Sequence, residues 1–497
     1  MLRGATHLKL SREKKMKSIT KFTSAALIAL FFASLPAASQ SSDPPQEHHH
    51  GDIQPVAPVY PRLGRAQQQA GAKLFTLDDA QHLAAESNPT LRQAEAEIRA
   101  AKSRRQQSRL YPNPTVGYTG DEIRGGSVNG GKQGFFLQQN IVTAGKLTKS
   151  AAVFDQEIRL AEIEAEEQKL RVQTAVKTAF YRVLAAQELL FASRDLAQIE
   201  QNYTQVQREL LNSGQADESE VLEAEVDAQR QRLSARMQEN TLREGWKSLA
   251  AVIGRPDLPQ GTATADLEHG WPEINEEQIV DIIAAQSPAT RIADSAASRA
   301  SAEITRAKSL AIPDLQLRGG LEYNNEPISP TQTTGWQGIA EVGVEVPIFN
   351  RNQGNVAAAA SDLDRAQLEK QRIALTLHER TATVLDEYAN AKLMAMEYRD
   401  EILPRSKKAY TLLSEKYGLM LASYPRVLQA QRQLFELQTE YIMALENVWT
   451  TSIALQGFLL TDGLEAPSRP GEIDRPIRET NLPMPERNPA FDTMPRP

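Results

Sequence analysis

From Glu341 to Ile348 the chain alternates strictly. Val342, Val344, Val346 and Ile348 fall on one side, and Glu341, Gly343 and Glu345 on the other. A period of two predicts a β-strand with one apolar and one polar face. Asn350-Arg-Asn-Gln-Gly354 breaks the alternation, and a very long helical sequence follows. The same order occurs earlier, in Phe135-Phe-Leu-Gln-Gln-Asn-Ile-Val-Thr-Ala-Gly-Lys146 and the helical segment after it.

Taken in order, the pattern turns helical at Phe75, where Thr76 is an N-cap candidate with Asp78 and Asp79 in the first turn. Asn88-Pro89 marks a turn, and the next helix runs from Thr90 to Arg109, stopped by Tyr111-Pro-Asn-Pro114. Strand-like runs follow at Thr115–Ile123 and Gln133–Val142, joined by a Gly-rich hairpin loop. Beyond Gly145 a proline-free segment reaches about Leu211, long enough for a helix of about 100 Å. Asn212-Ser-Gly-Gln-Ala-Asp217 interrupts it, and a second helix returns from Glu218 to Ile253, giving a helical hairpin of coiled-coil character.

The series then repeats at an offset of about 200 residues, so half the chain is the unit. Ser287-Pro288 answers Asn88-Pro89, Tyr388 answers Tyr181, and Val427-Leu-Gln-Ala430 answers Val221-Leu-Glu-Ala224. In the second copy Leu315, Leu317, Leu321 and Tyr323 alternate with Asp314, Gln316, Arg318 and Glu322. Val356, Leu363, Ala366, Ile373, Leu377, Val384, Tyr388 and Ala391 trace a coiled-coil seam, which Tyr417-Gly-Leu-Met-Leu-Ala-Ser423 interrupts before a return helix reaches about Leu460. The expected organisation is a signal sequence over 1–39, a Pro- and Gln-rich linker over 40–74, a first repeat over 75–265 with strands at about 115–142, a second repeat over 266–464 with strands at about 314–349, and a disordered Pro-rich tail over 465–497. Translation starting at Met16 would fit the signal, in which lysines precede an apolar run from Phe22 to Leu35.

Composition narrows the classes. A net charge of −7 argues against wholesale nucleic-acid binding. Cysteine is absent, which excludes disulfides, thiolate metal sites and a cysteine-borne lipid anchor. His48-His-His50 sits in the linker, where adjacent imidazoles on a loose chain define no closed ligand geometry. Met394 and Met396 are two apart, on different helix faces, and read as packing residues. No nucleophile elbow, phosphate-binding glycine loop or zinc-protease His pair is present, so no catalytic residue, cofactor or metal site is expected.

Four amphipathic strands suit either a soluble edge sheet or part of a membrane barrel. Export, alternation and the aromatic residues Tyr323, Trp336 and Phe349 near strand ends favour the barrel. Four strands cannot close, since barrels begin at about eight, so the barrel must be shared. Two chains would give about eight strands filled by side chains; three would give about twelve and an open lumen.

From Phe75 to Leu460 the tandem repeat, strand pairs and helical hairpins resemble the outer-membrane efflux protein family typified by TolC, and Pro347-Ile-Phe-Asn-Arg-Asn-Gln-Gly354 is similar to its heavy-metal, CzcC-like branch. The resemblance implies a mostly α fold with a small β part. Long helical hairpins would form a trimeric α-barrel, continued by a 12-stranded transmembrane β-barrel with 4 strands per chain. It implies a homotrimer in outer-membrane lipid of a Gram-negative bacterium, reaching into the periplasm, without enzymatic activity. Its implied partners are a periplasmic adaptor and an inner-membrane pump of the resistance-nodulation-division class. The implied task is a passive exit duct for divalent heavy-metal cations of the cobalt, zinc and cadmium type. A duct for drugs or organic solutes and an exported coiled-coil scaffold without channel activity are the other readings.

By the same resemblance, the hairpin ends furthest from the membrane hold the gate and the adaptor contact. The expected adaptor-contact residues are Ser213, Gly214, Asp217, Gly418, Leu419, Met420 and Ser423. The family pattern of a Gly before an acidic run is kept as Gly214 and Glu220-Val-Leu-Glu-Ala224; in the second copy Met420 replaces the Gly and Arg426-Val-Leu-Gln-Ala430 the acids. The gate is expected at Tyr417, Glu220, Glu223, Arg426 and Gln429, with Tyr417 closing on Glu220 and Arg426 pairing with Glu220 or Glu223. In a trimer each inward carboxylate becomes a ring that favours cations. The alternative is that Glu220 and Glu223 are ordinary solvated helix faces.

Overall fold

The computed structural model describes residues 74–122, 131–329 and 332–465. The expected signal sequence, the His48–His50 stretch and the Pro-rich tail from residue 466 onward lie outside the described residues.

Helix starts are set locally. The Thr76 side chain accepts from the Asp79 amide while the Asp79 carboxylate accepts from the Thr76 amide, and this capping box launches α1 (Leu77–Ser87). Asn88 Oδ1 accepts from the Thr90 amide at 2.9 Å with Pro89 just behind it, opening α2 (Pro89–Ser108). Strands β2 (Thr115–Asp121) and β3 (Lys132–Ile141) follow a two-residue β1 (Leu74–Phe75) in chain order, and lead into α3 (Lys146–Asn212) and α4 (Glu218–Ile253). The short β4 (Thr262–Ala263) pairs in parallel with β1.

The second half repeats the order with α5 (Ile279–Gln286), a Ser287 cap over Thr290 and α6 (Pro288–Leu310). Strands β5 (Leu315–Ser329) and β6 (Gln332–Val344) come next, then α7 (Gln353–Glu397), α8 (Leu403–Gly418) and α9 (Tyr424–Gln456). The outgoing helix is not the single rod its seam predicts. A π turn at Tyr398–Ile402 separates α7 from α8 and ends two residues before Pro404, which has no amide to donate and whose ring crowds the preceding turn.

Two features position the rest. A core of aromatic and aliphatic side chains binds the middle of α3 to α9 and to the segment around β4. In it Tyr181 stacks on Trp449 with centroids 3.8 Å apart, and Trp449 Nε1 donates to the Leu267 carbonyl. The repeat-mates Tyr181 and Tyr388 are both buried. The second feature is the four-stranded sheet, antiparallel throughout, in the order β2-β3-β5-β6.

The sheet corrects one expectation. Strand β6 ends at Val344, so Val346 and Ile348 continue the alternation without the ladder. Pro347 cannot donate to a ladder, and the turn beyond it is built from side chains. Asn350 Oδ1 accepts from the Asn352 amide, and Asn352, at φ +59°, donates from Nδ2 to the Ala307 carbonyl at 2.7 Å. Gly145 holds the corresponding left-handed position before α3, at φ +65°. Asparagine tolerates that conformation better than most residues, so the Asn-Arg-Asn-Gln-Gly stretch has a structural task of its own.

Candidate functional site

The chain offers two places where passage could be controlled: the sheet at one end and the hairpin tips at the other. On the sheet, burial is inverted relative to a soluble domain. Val116, Phe135, Trp336 and Val342 are 74, 67, 71 and 71 % exposed, whereas Glu322 is only 9 % exposed. The register puts Val116 beside Leu137, Tyr118 beside Phe135 beside Leu321, and Leu317 beside Val342, so the apolar residues share one face. Thr115, Gln138, Arg318 and Glu341 line the other face in one cross-strand row. A sheet whose apolar face stands open while charged residues such as Glu322 are buried suits an apolar solvent outside and an aqueous lumen inside. Among the described residues no helix is long and apolar enough to cross a membrane.

At the opposite end each hairpin closes with the same backbone device. After α3 the Gly214 amide donates to the Leu211 carbonyl and the Gln215 amide to that of Leu210, with Gly214 at φ +72°. After α8 the Met420 amide donates to Tyr417 and the Leu421 amide to Lys416, with Met420 at φ +58°. Both are Schellman motifs, and the second holds a left-handed residue with a side chain, a conformation that costs about 1–2 kcal/mol. Met420 is 95 % exposed and flanked by the exposed Leu419 and Leu421, so the second tip presents an apolar knob.

Behind the tips lies a cluster that the sequence did not single out. Tyr203 of α3 and Tyr417 of α8 both pack against Tyr424 of α9, at 5.5 and 5.4 Å between centroids. Deeper still, Glu200 of α3 is fully buried and accepts from Nε and Nη2 of Arg432 on α9, which also reaches Asp227 of α4 through Nη1 at 3.0 Å. Burial works against the Arg432 charge, yet hydrogen bonding to Glu200 holds its pKa above the usual arginine value. The two acids and one base tie both helices of the first hairpin to the second. Thr204 adds a bond from Oγ1 to the Ala224 carbonyl at 3.0 Å, from α3 to α4. The available signal was a carboxylate inside the apolar seam of Leu196, Ile199 and Tyr203, and an arginine between Leu428 and Phe435.

Burial pushes the Tyr424 phenol up to about 12, with Tyr417, Tyr203 and Glu200 adding to the shift. The folded value lies above the ordinary 10.0, so the contribution of the neutral phenol to stability is complete below pH 10.0 and is lost as pH rises towards about 12. A tyrosinate absorbance titration of wild type minus Tyr424→Phe should show one phenol ionising near the upper value. A difference spectrum that titrates at the ordinary value would contradict this.

Of the expected gate residues, Glu220, Glu223, Arg426 and Gln429 are exposed in the single chain, and Tyr417 is half-buried against Tyr424. Among the described residues no hydrogen bond or ion pair joins Tyr417 to Glu220, or Arg426 to Glu220 or Glu223. Glu220 lies instead near Tyr203, whose phenolate it disfavours after the larger effect of burial. Ser213, Gly214, Asp217, Gly418, Leu419, Met420 and Ser423 all lie at the two tips and are exposed. Among the described residues no group of three or more His, Cys, Asp or Glu is placed to hold a metal ion.

Residues 80–255 and 279–459 match the family model "Outer membrane efflux protein", one segment on each repeat. The chain belongs to that family: it is a channel protein of the outer membrane, not an enzyme. Among curated proteins it is similar to the cobalt-zinc-cadmium resistance protein CzcC of Cupriavidus metallidurans, at 22 % identity over 81 % of this chain and 93 % of that one. It is also similar to the cation efflux system protein CusC of Escherichia coli K12, at 26 % identity over 54 % of this chain and 58 % of that one. Among solved structures, CusC superposes with a TM-score of 0.63 at 17 % identity, covering 81 % of this chain and 97 % of CusC. The outer-membrane channel OprN gives 0.62 at 16 %, covering 78 and 91 %.

Proposed function

We propose that three copies of this chain form the outer-membrane exit duct of a tripartite efflux system for divalent heavy-metal cations. Each copy contributes the β2-β3-β5-β6 sheet to a twelve-stranded barrel, and the helical hairpins continue it as a tube into the periplasm. The observation that carries this reading is the inverted burial of the sheet, which leaves an apolar face exposed on every strand. Four strands cannot close alone, and three copies leave an open lumen. Residues 1–39 serve as the export signal in this proposal. The tips at Ser213–Asp217 and Gly418–Ser423 meet a periplasmic adaptor, which links the duct to an inner-membrane pump of the resistance-nodulation-division class. A metal cargo is supported by the similarity to CzcC across most of both chains.

Deleting the gene should sensitise its host to some of zinc, cobalt, cadmium, nickel, copper and silver while leaving tolerance to a drug panel unchanged. Sensitivity confined to the drugs would leave the duct standing and overturn the metal cargo.

The gate proposed at Tyr417, Glu220, Glu223, Arg426 and Gln429 makes a separate prediction. Exposed carboxylates near a threefold axis form a charged ring in a narrow opening. Glu220→Gln should raise the resting conductance of the purified trimer in a planar bilayer and weaken its preference for cations. An unchanged trace would remove Glu220 from the gate.

A further inference from the structure

The polar face of the sheet carries a feature that neither the gate nor the cargo assignment uses. In the row Thr115–Gln138–Arg318–Glu341, Arg318 Nη1 lies 3.4 Å from Glu341 Oε2 on the neighbouring strand. The Arg318 guanidinium also lies over the Phe136 ring, with Cζ 4.1 Å from its centroid. Phe136 belongs to the next row, between Gly117 and Gly320. A Cβ on Gly117 would come within 2.5 Å of the Phe136 ring, and one on Gly320 within 3.2 Å of Phe136 Cβ. The missing side chain at Gly117 leaves room for the ring, the one at Gly320 lets the strands approach at Phe136, and the ring holds the guanidinium beside Glu341. Arg318 is in the fourth position of β5, so the row crosses the sheet near the end that joins the helices.

This matters for conduction if the polar face lines the lumen, and the inference rests on the proposed duct to that extent. Passage requires sites attractive enough to enter and weak enough to leave. Free carboxylates repeated around a threefold axis would favour divalent cations and also detain them. A fixed guanidinium at each carboxylate offsets its charge and competes for its oxygens.

We propose that Arg318 is the selectivity-determining residue of the barrel: braced on Phe136, it balances Glu341 so that divalent cations cross this row without being retained. Among the described residues, the charges Asp121, Lys132 and Glu322 share this face and lie in other rows.

The test is single-channel recording of the purified full-length trimer in a potassium chloride gradient. Arg318→Gln should raise the cation-to-anion permeability ratio severalfold. It should also make the potassium current susceptible to block by zinc or cobalt at concentrations that leave wild type open. Glu341→Gln should move the ratio the opposite way and create no block, and it keeps the proposal testable if Arg318→Gln fails to assemble. Open pores with wild-type selectivity and no new block in Arg318→Gln, or no opposite shift in Glu341→Gln, would overturn the proposal and reduce the pair to a cross-strand contact. Wild-type protein that carries no current would overturn the duct reading, and this inference with it.

Discussion

Glu200→Ala is expected to destabilise the protein by about 3 kcal/mol and to raise the resting conductance of the assembled channel. Removing one partner of a buried ion pair costs about 3–5 kcal/mol, because the other charge stays behind without compensation. Here the remaining charge is Arg432, which keeps Asp227 and is 30 % exposed, so the cost falls at the low end of that range. The functional effect follows from where the three residues sit. Glu200 and Asp227 belong to the outgoing and returning helices of the first hairpin, and Arg432 to the returning helix of the second. Losing Glu200 leaves the hairpins joined near their tips by the tyrosine contacts, by Arg432 to Asp227 and by the apolar cluster of Leu196, Ile199, Leu428 and Phe435. Denaturant unfolding and bilayer recording of the variant check the two halves of the prediction. The pair Glu200→Met with Arg432→Met separates charge from packing: it should recover much of the stability, because the one carboxylate that loses its partner, Asp227, is 36 % exposed and stays solvated. An alanine variant as stable and as tightly closed as wild type would show that the triad holds nothing shut.

What could be read in advance follows the range of the interactions. Capping at Thr76, Asn88 and Ser287 is settled within three residues, and the alternation within each strand by adjacent side chains, so the helices, the strand pairs and their repetition were legible. The end of β6 was not, because Val346 and Ile348 keep the period of two on either side of Pro347, beyond the last ladder residue, Val344. The π turn was hidden as well: the apolar seam from Val356 to Ala391 ends before it, and only Pro404 marks the place. The Asn-Arg-Asn-Gln-Gly stretch stood out as a family marker, whereas its geometry is that of a turn held by Asn350 and Asn352. At the tips, the loss of glycine at Met420 was visible as a departure from the pattern, but the backbone kept the left-handed turn regardless. The Glu200–Arg432 contact spans 232 positions, and no local feature of either helix says which residue of the other will meet it.

Val342→Arg should abolish insertion into the outer membrane while leaving the helical part folded. Val342 is 71 % exposed on the apolar face, paired with Leu317 in the register, and belongs to the same face as Trp336. An arginine on the lipid side of a barrel costs about 2–4 kcal/mol near the bilayer midplane and about 0–1 near its edges. Val342 is two residues from the helix-proximal end of β6, so the charge enters at intermediate depth, and a trimer repeats the cost three times. Glu341 is the control, since it is the next residue along the strand and points to the opposite face. A charge-conserving Glu341→Asp should insert normally. Membrane fractionation with a heat-modifiability assay distinguishes inserted trimers from the rest, and circular dichroism of the uninserted variant should retain the helical signal. Were Val342→Arg to insert as well as wild type, the exposed apolar face would not be the lipid face. The inverted burial of the sheet would then need another solvent or another partner to explain it.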